Sequence, residues 1–303
     1  MFKLTGSWVA LPTPFTEDDK IDYKGFETLI DRQIRYGTSA LFILGSAGET
    51  TLLSLEEKKE IVRETLKMTK GRITTFYNSS MPTTSASVEF AKYCEGEGAE
   101  GLIFTVPNYV LLSQTAAFAH LDACFSATTL PVGIYNNPSR LGVNVEPETI
   151  KKLYDLHDNF VVMKEAMPSN QQLVKERILC GNDLNVLCCD YPKYSILPTV
   201  LALGGNGAAN IGGNIIPEEA AFYSRPWTSI EIMEESRALY FKYYPLLEAL
   251  YMFSNPVCIK AALRLLGLPC GHIRSPYQEL GGKKLDQLKT VMEELGVFDK
   301  YAV

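Results

Sequence analysis

Phe160–Glu165, FVVMKE, is the stretch from which the rest of this chain can be read. Phe160, Val161, Val162 and Met163 form a short apolar run with two β-branched residues, the composition of a buried strand. The run ends on Lys164, four residues before the breaker Pro168. A strand buried on both faces has no cheap place for an ammonium group. Desolvation disfavours the charged form and lowers a lysine pKa. The neutral amine is then a nucleophile that can form a Schiff base with a carbonyl. The plainer alternative is a strand-end lysine that reaches back to solvent or pairs with Glu165.

Seven similar runs lie around it: Ser7–Leu11, Ala40–Leu44, Ile73–Tyr77, Gly101–Phe104, Pro131–Tyr135, Asn185–Cys189 and Gly207–Ile211. Segments of helical period separate them: Tyr23–Tyr36, Ser54–Lys70, Thr84–Gly96, Ser113–Ala127, Glu146–Leu156, Ser169–Leu179 and Tyr194–Leu203, with Pro217–Arg225 after the eighth strand. The helix signals are local and physical. Gly37 and Gly71 follow their helices as C-caps, and SLEE at Ser54–Glu57 is a capping box. Alternating strands and helices with short links imply parallel strands. Eight such units predict an α/β fold, a (β/α)8 TIM barrel. An open doubly wound sheet is the alternative. It would place a glycine-rich phosphate turn after the first strand, where this chain has Pro12-Thr13-Pro14. The barrel is expected over 1–226. Over 227–303 a C-terminal helical extension is expected, with helices at Glu231–Phe253, Pro256–Leu266 and Lys283–Leu295.

Composition narrows the function. A chain of 303 residues, 46% hydrophobic, can bury a large core. A net charge of -6 gives no attraction for nucleic acid or an anionic membrane. No apolar run reaches the roughly 20 residues of a membrane span. The N-terminus, MFKLTGSWVALPTPF, reads as too short and polar for a signal peptide. Seven cysteines without paired spacing fit reduced thiols, hence a cytoplasmic protein, and Cys188 and Cys189 read as small buried apolar residues. His120, His157 and His272 have no ligand spacing, so no metal is expected.

In a barrel of this kind, chemistry sits at the C-terminal ends of the strands. Those ends carry Gly45-Ser46-Ala47-Gly48-Glu49-Thr50, Pro107-Asn108-Tyr109, Tyr135 with Asn136-Asn137-Pro138-Ser139-Arg140, Lys164, and Ala209-Asn210 before Ile211-Gly212-Gly213. Consecutive backbone amides in the GSAGET loop can form a nest for a carboxylate or phosphate. Arg140 can hold a second carboxylate bidentately. Tyr135 offers a phenol that can pass protons beside the lysine. Together these groups suit a 2-oxo acid.

At this point the chain resembles the dihydrodipicolinate synthase / N-acetylneuraminate lyase family of class I pyruvate-dependent aldolases. The resemblance runs from LTGSWVALPTPF through GSAGET, VPNY, IYNNPSRLG and VMKEA to NPVCIKAALRLLG. It implies that Lys164 is the Schiff-base lysine and Tyr135 the proton shuttle. Ser46 would link two tyrosines in a relay, with Tyr109 as the second, lent by a neighbouring subunit. Ser46 and Ala47 would supply amides to pyruvate's carboxylate, with Gly48, Ala209 and Asn210 also lining the binding site. The family uses no external cofactor and is usually homotetrameric.

Arg140 matches the synthase branch, where that arginine grips L-aspartate 4-semialdehyde. Several residues depart from that branch. Ala47 stands for a usual threonine. Cys188-Cys189-Asp190-Tyr191 replaces a Ser-Gly-Asp-Asp run, the segment from Asp190 to Gly204 is longer than in that branch by about three residues, and Asn210 with Gly212-Gly213 is unusual. Leu55, Lys58, Pro82, Ala86 and Asn108 stand where lysine-regulated members carry polar contacts. Three functions therefore remain open. One is the synthase condensation. Another is an N-acetylneuraminate lyase-like or 2-keto-3-deoxy sugar acid aldolase or dehydratase. The last is a barrel that only binds 2-oxo acids.

Overall fold

The computed structural model describes residues 4–190 and 196–303. Eight strands form the barrel: β1 (Gly6–Ala10), β2 (Ala40–Ile43), β3 (Thr74–Asn78), β4 (Gly101–Phe104), β5 (Val132–Asn136), β6 (Phe160–Glu165), β7 (Asn185–Cys188) and β8 (Gly207–Asn210). Each pairs in parallel with the next, and β8 pairs with β1, so the sheet is closed. Closure excludes the open doubly wound sheet. Every strand lies within one residue of its expected span, because each is an apolar run bounded by turn residues.

The helices of the alternation are α1 (Tyr23–Arg35), α2 (Leu55–Thr69), α3 (Thr84–Glu97) and α4 (Gln114–Ser126). They continue with α5 (Pro138–Leu141), α6 (Pro147–Leu156), α7 (Asn170–Cys180), α8 (Leu197–Ala202) and α9 (Pro217–Tyr223). The capping box at α2 is formed: the Glu57 amide donates to Ser54 Oγ, and the Ser54 amide donates to Glu57 Oε2 at 2.8 Å. The short α5 was not expected; Pro138 fits its first turn, and it ends at Gly142 in the left-handed region. The start expected for α8, at Tyr194, lies outside the described residues, as does Tyr191. Barrel closure needs Gly207: at φ +149, a Cβ there would lie 2.0 Å from the Gly6 carbonyl oxygen.

Four more helices follow, α10 (Ile230–Leu250), α11 (Val257–Leu265), α12 (Gly282–Glu294) and α13 (Val297–Tyr301). Helix α10 packs on α9 and α12, and α11 packs on α12. Their apolar residues join the same buried cluster as the barrel. All seven cysteines are free and buried. Among the described residues, no helix is long and apolar enough to cross a membrane.

Candidate active site

Lys164 and Tyr135 are register partners on β6 and β5. Lys164 is only 6% exposed, and its Nζ lies 4.2 Å from the Tyr135 ring centroid and 4.6 Å from that of Phe42. Among the described residues it has no carboxylate partner. Burial lowers its pKa below the ordinary 10.5; Cys189 and Asp190 oppose the shift, and Arg140 reinforces it. Both plain alternatives for this lysine are thereby excluded. It does not reach solvent, and Glu165 points to the opposite side of the strand, as the two-residue period requires. There Glu165 accepts from Asn136 Nδ2 and from Gln172 Nε2 of α7, each at 3.1 Å. Glu165 and Glu176 share this buried pocket, and burial raises both carboxyl pKa values.

The Tyr135 hydroxyl accepts from Asn137 Nδ2 at 2.6 Å and contacts Cys189 Sγ at 3.8 Å. Burial keeps its ionisation well above the ordinary phenol range; Cys189 adds to the rise, while Arg140 and Asn137 oppose it. Asn137 is itself anchored, accepting from Ser139 Oγ at 2.7 Å. Sequence reasoning passed over Asn137, although a polar side chain two residues beyond a strand-end tyrosine was a usable signal.

The loop after β2 runs between Leu44 and Glu49, both in the left-handed region at φ 61 and 54. Its internal hydrogen bonds sort the nest. The amides of Gly48 and Thr50 donate to the Gly45 carbonyl, and that of Glu49 donates to Ser46. The amides of Ser46 and Ala47 have no partner among the described residues. Two adjacent N–H groups are therefore left open among the described residues, and they are the pair to which the resemblance gives a carboxylate. Gly48 shapes the loop, its amide turned inward and its carbonyl accepting from Thr13 Oγ1 at 2.7 Å.

Two cavities share a wall made by Tyr135, Asn137 and Arg140. One, of about 700 Å³, extends past Phe42, Ser46 and Thr50 to Lys58 and Tyr277. The other, of about 330 Å³, is bounded by Ser139, Cys189 and the turn Tyr251–Asn255 after α10. Arg140, on α5, has no carboxylate partner among the described residues. Asp190, which follows β7, is turned from the cavity: its carboxylate accepts from the Ile211 and Gly212 amides at 3.1 and 2.7 Å and from the Tyr251 hydroxyl at 3.0 Å.

The remaining expected residues are placed as follows. Tyr109 is 95% exposed at φ 73, outside both cavities. Ala209 is buried on β8 opposite Trp8. Asn210 follows it, with its side-chain amide engaged on the barrel wall. It donates to Ser7 Oγ at 2.7 Å and accepts from the Gly213 amide at 2.9 Å. Neither Ala209 nor Asn210 lines the two cavities. The histidines are spread apart: His120 meets Thr84, His157 meets Asp122, and His272 meets Asp19.

Comparison with known proteins agrees with this fold. The chain is 35% identical over 297 residues to a 4-hydroxy-tetrahydrodipicolinate synthase of Clostridium perfringens, covering 98% of this chain and 99% of the relative. The solved dihydrodipicolinate synthase of Thermotoga maritima superposes with a TM-score of 0.92 at 29% identity, over 98% of this chain and 100% of that one. A solved monomeric dihydrodipicolinate synthase variant gives 0.91 at 28% identity, over 97% of each chain. A family model, the dihydrodipicolinate synthetase family, matches residues 3–295. The chain belongs to the dihydrodipicolinate synthetase family.

Proposed function

We propose that this enzyme forms a Schiff base between Lys164 and pyruvate, then condenses it with L-aspartate 4-semialdehyde to give 4-hydroxy-tetrahydrodipicolinate. The observation that carries the reading is the buried Lys164 amine against Tyr135, without a carboxylate partner among the described residues, in a barrel whose neighbouring loop leaves the Ser46 and Ala47 amides free among those residues. The amines and amides match a 2-oxo acid, with its carboxylate on the two N–H groups and its ketone at Lys164 Nζ. Attack by Nζ gives a carbinolamine. Tyr135 donates the proton with which its hydroxyl leaves as water. Loss of a methyl proton then gives the enamine, which attacks the aldehyde. The substrate's own amine closes the ring and releases Lys164.

Arg140, in the wall that the two cavities share, is assigned to the aldehyde's carboxylate. Ser46 and Tyr109 are assigned to the proton relay. An exposed Tyr109 fits that role only when a second subunit supplies it, so a homotetramer is part of the proposal. The monomeric variant among the similar structures makes sedimentation its direct check. The C-terminal helices of 227–303 are read as an extension of the barrel of 1–226. No external cofactor is needed for these steps. The free buried thiols support a cytoplasmic setting.

One observation favours a second reading, cleavage of an N-acetylneuraminate-like or 2-keto-3-deoxy sugar acid. The smaller cavity is bounded by Cys189 and by Tyr251 held on Asp190, at the strand end that departs from the synthase pattern. Turnover of pyruvate with L-aspartate 4-semialdehyde, measured beside cleavage of such sugar acids, separates the two. The synthase reading expects condensation; cleavage without condensation overturns it.

A further inference from the structure

The underside of the anion-binding loop is tied to the C-terminal helices by a buried ion pair that the reaction above does not use. Lys260 of α11 and Glu49 are both fully buried, with Nζ and Oε1 2.6 Å apart. Lys260 also donates to the His272 carbonyl at 2.6 Å and lies 4.2 Å from the Phe15 ring centroid. The other carboxylate oxygen of Glu49 accepts from the Arg274 amide at 2.9 Å. The Arg274 side chain is held in turn by Glu57 and Asp19. Thr13 pins the neighbouring Gly48 carbonyl.

A lysine and a glutamate without solvent are costly to bury and are strongly destabilising when one partner is lost. Here they sit under a strained turn. Glu49 is a non-glycine residue in the left-handed region, a conformation that persists only where its surroundings impose it. Its amide donates to Ser46, the residue whose own N–H is free for the anion. The carboxylate of Glu49 would also repel an incoming carboxylate two residues away, unless a cation neutralised it.

We propose that Lys260 and Glu49 are positioning residues for the carboxylate of the 2-oxo acid. Lys260 neutralises Glu49 and fixes its backbone, and Glu49 in turn holds the loop that leaves the Ser46 and Ala47 amides free among the described residues. The C-terminal extension is therefore part of the substrate site, acting through α11 and the 271–274 segment. The inference rests on the proposed Schiff-base reading.

Borohydride trapping over a range of pyruvate concentrations tests it, with Glu49→Gln, Lys260→Met and the double variant compared with the natural chain. The expected result is a tenfold or greater rise in half-saturating pyruvate in each single variant. At saturating pyruvate the adduct still forms on Lys164. The double variant is expected to be no worse than the singles, since both act through one contact. Lower melting temperatures with half-saturation unchanged within twofold would overturn the inference and leave the ion pair merely structural. If a single variant does not fold, the double variant decides, because it buries no unpaired charge. A raised half-saturation supports the inference and an unchanged one overturns it. Absence of any adduct in the natural chain would instead overturn the underlying reading, and the inference with it.

Discussion

Lys164 Nζ lies 4.2 Å from the centroid of the Tyr135 ring, and the two residues are register partners on adjacent parallel strands. Neighbouring strands fix their relative position, so an amine and a phenol are presented together without a flexible loop. The arrangement costs stability, because a buried lysine without a carboxylate partner favours the neutral form.

Lys164→Met is predicted to abolish turnover and raise stability together. The folded-state pKa of Lys164 is depressed below 10.5, so the folded chain binds fewer protons than the unfolded one between the two values. The stability gain of the variant should be full below the depressed pKa and fade as pH rises toward 10.5. Thermal melts across pH check this; a gain that grows with pH contradicts it.

Tyr135→Phe removes the phenol and keeps the ring against Lys164. Loss of a positioned general acid costs roughly a hundred- to ten-thousandfold in rate. The fall should be in kcat, with half-saturating pyruvate little changed. A variant with near-normal kcat would remove Tyr135 from the proton path.

Arg140→Ala should leave pyruvate trapping intact and lower kcat/KM for L-aspartate 4-semialdehyde. A charge-assisted hydrogen bond is worth about 1.5–3 kcal/mol, roughly a ten- to hundredfold loss. Steady-state kinetics with each substrate varied decides; an equal rate for the aldehyde would favour a substrate without a carboxylate at that end.

Lysine at millimolar concentration is predicted not to inhibit. The far end of the larger cavity holds Leu55, Pro82 and the ammonium of Lys58. Lys58 Nζ contacts Met81 Sδ at 3.5 Å and has no carboxylate partner among the described residues. Burial lowers its pKa. A second ammonium placed there would meet a like charge without a counter-ion. Initial rates with added lysine test this, and clear inhibition contradicts it.

The strands were legible because a strand covered on both faces is written as a continuous apolar run, and Lys164 stood out as a charge at the end of one. The GSAGET loop was legible as a nest of amides after a strand, but which of its amides stay free was implied only by the family resemblance. For Asn210, strand-end position does not tell whether an amide faces the cavity or the wall; here Ser7 and the Gly213 amide claim it. A nest has more amides than it presents, and that of Gly48 turns to the Gly45 carbonyl. Glu49 and Lys260 are 211 residues apart in sequence, and no local pattern joins them. The one trace was a lysine inside VCIKAAL, a stretch of α11 that is buried from Val257 to Leu263.

The most direct measurement is borohydride reduction of the chain with pyruvate, followed by peptide mass mapping. The account predicts one reduced pyruvate adduct, on Lys164. A folded chain with no adduct, or with the adduct on another lysine, would contradict it.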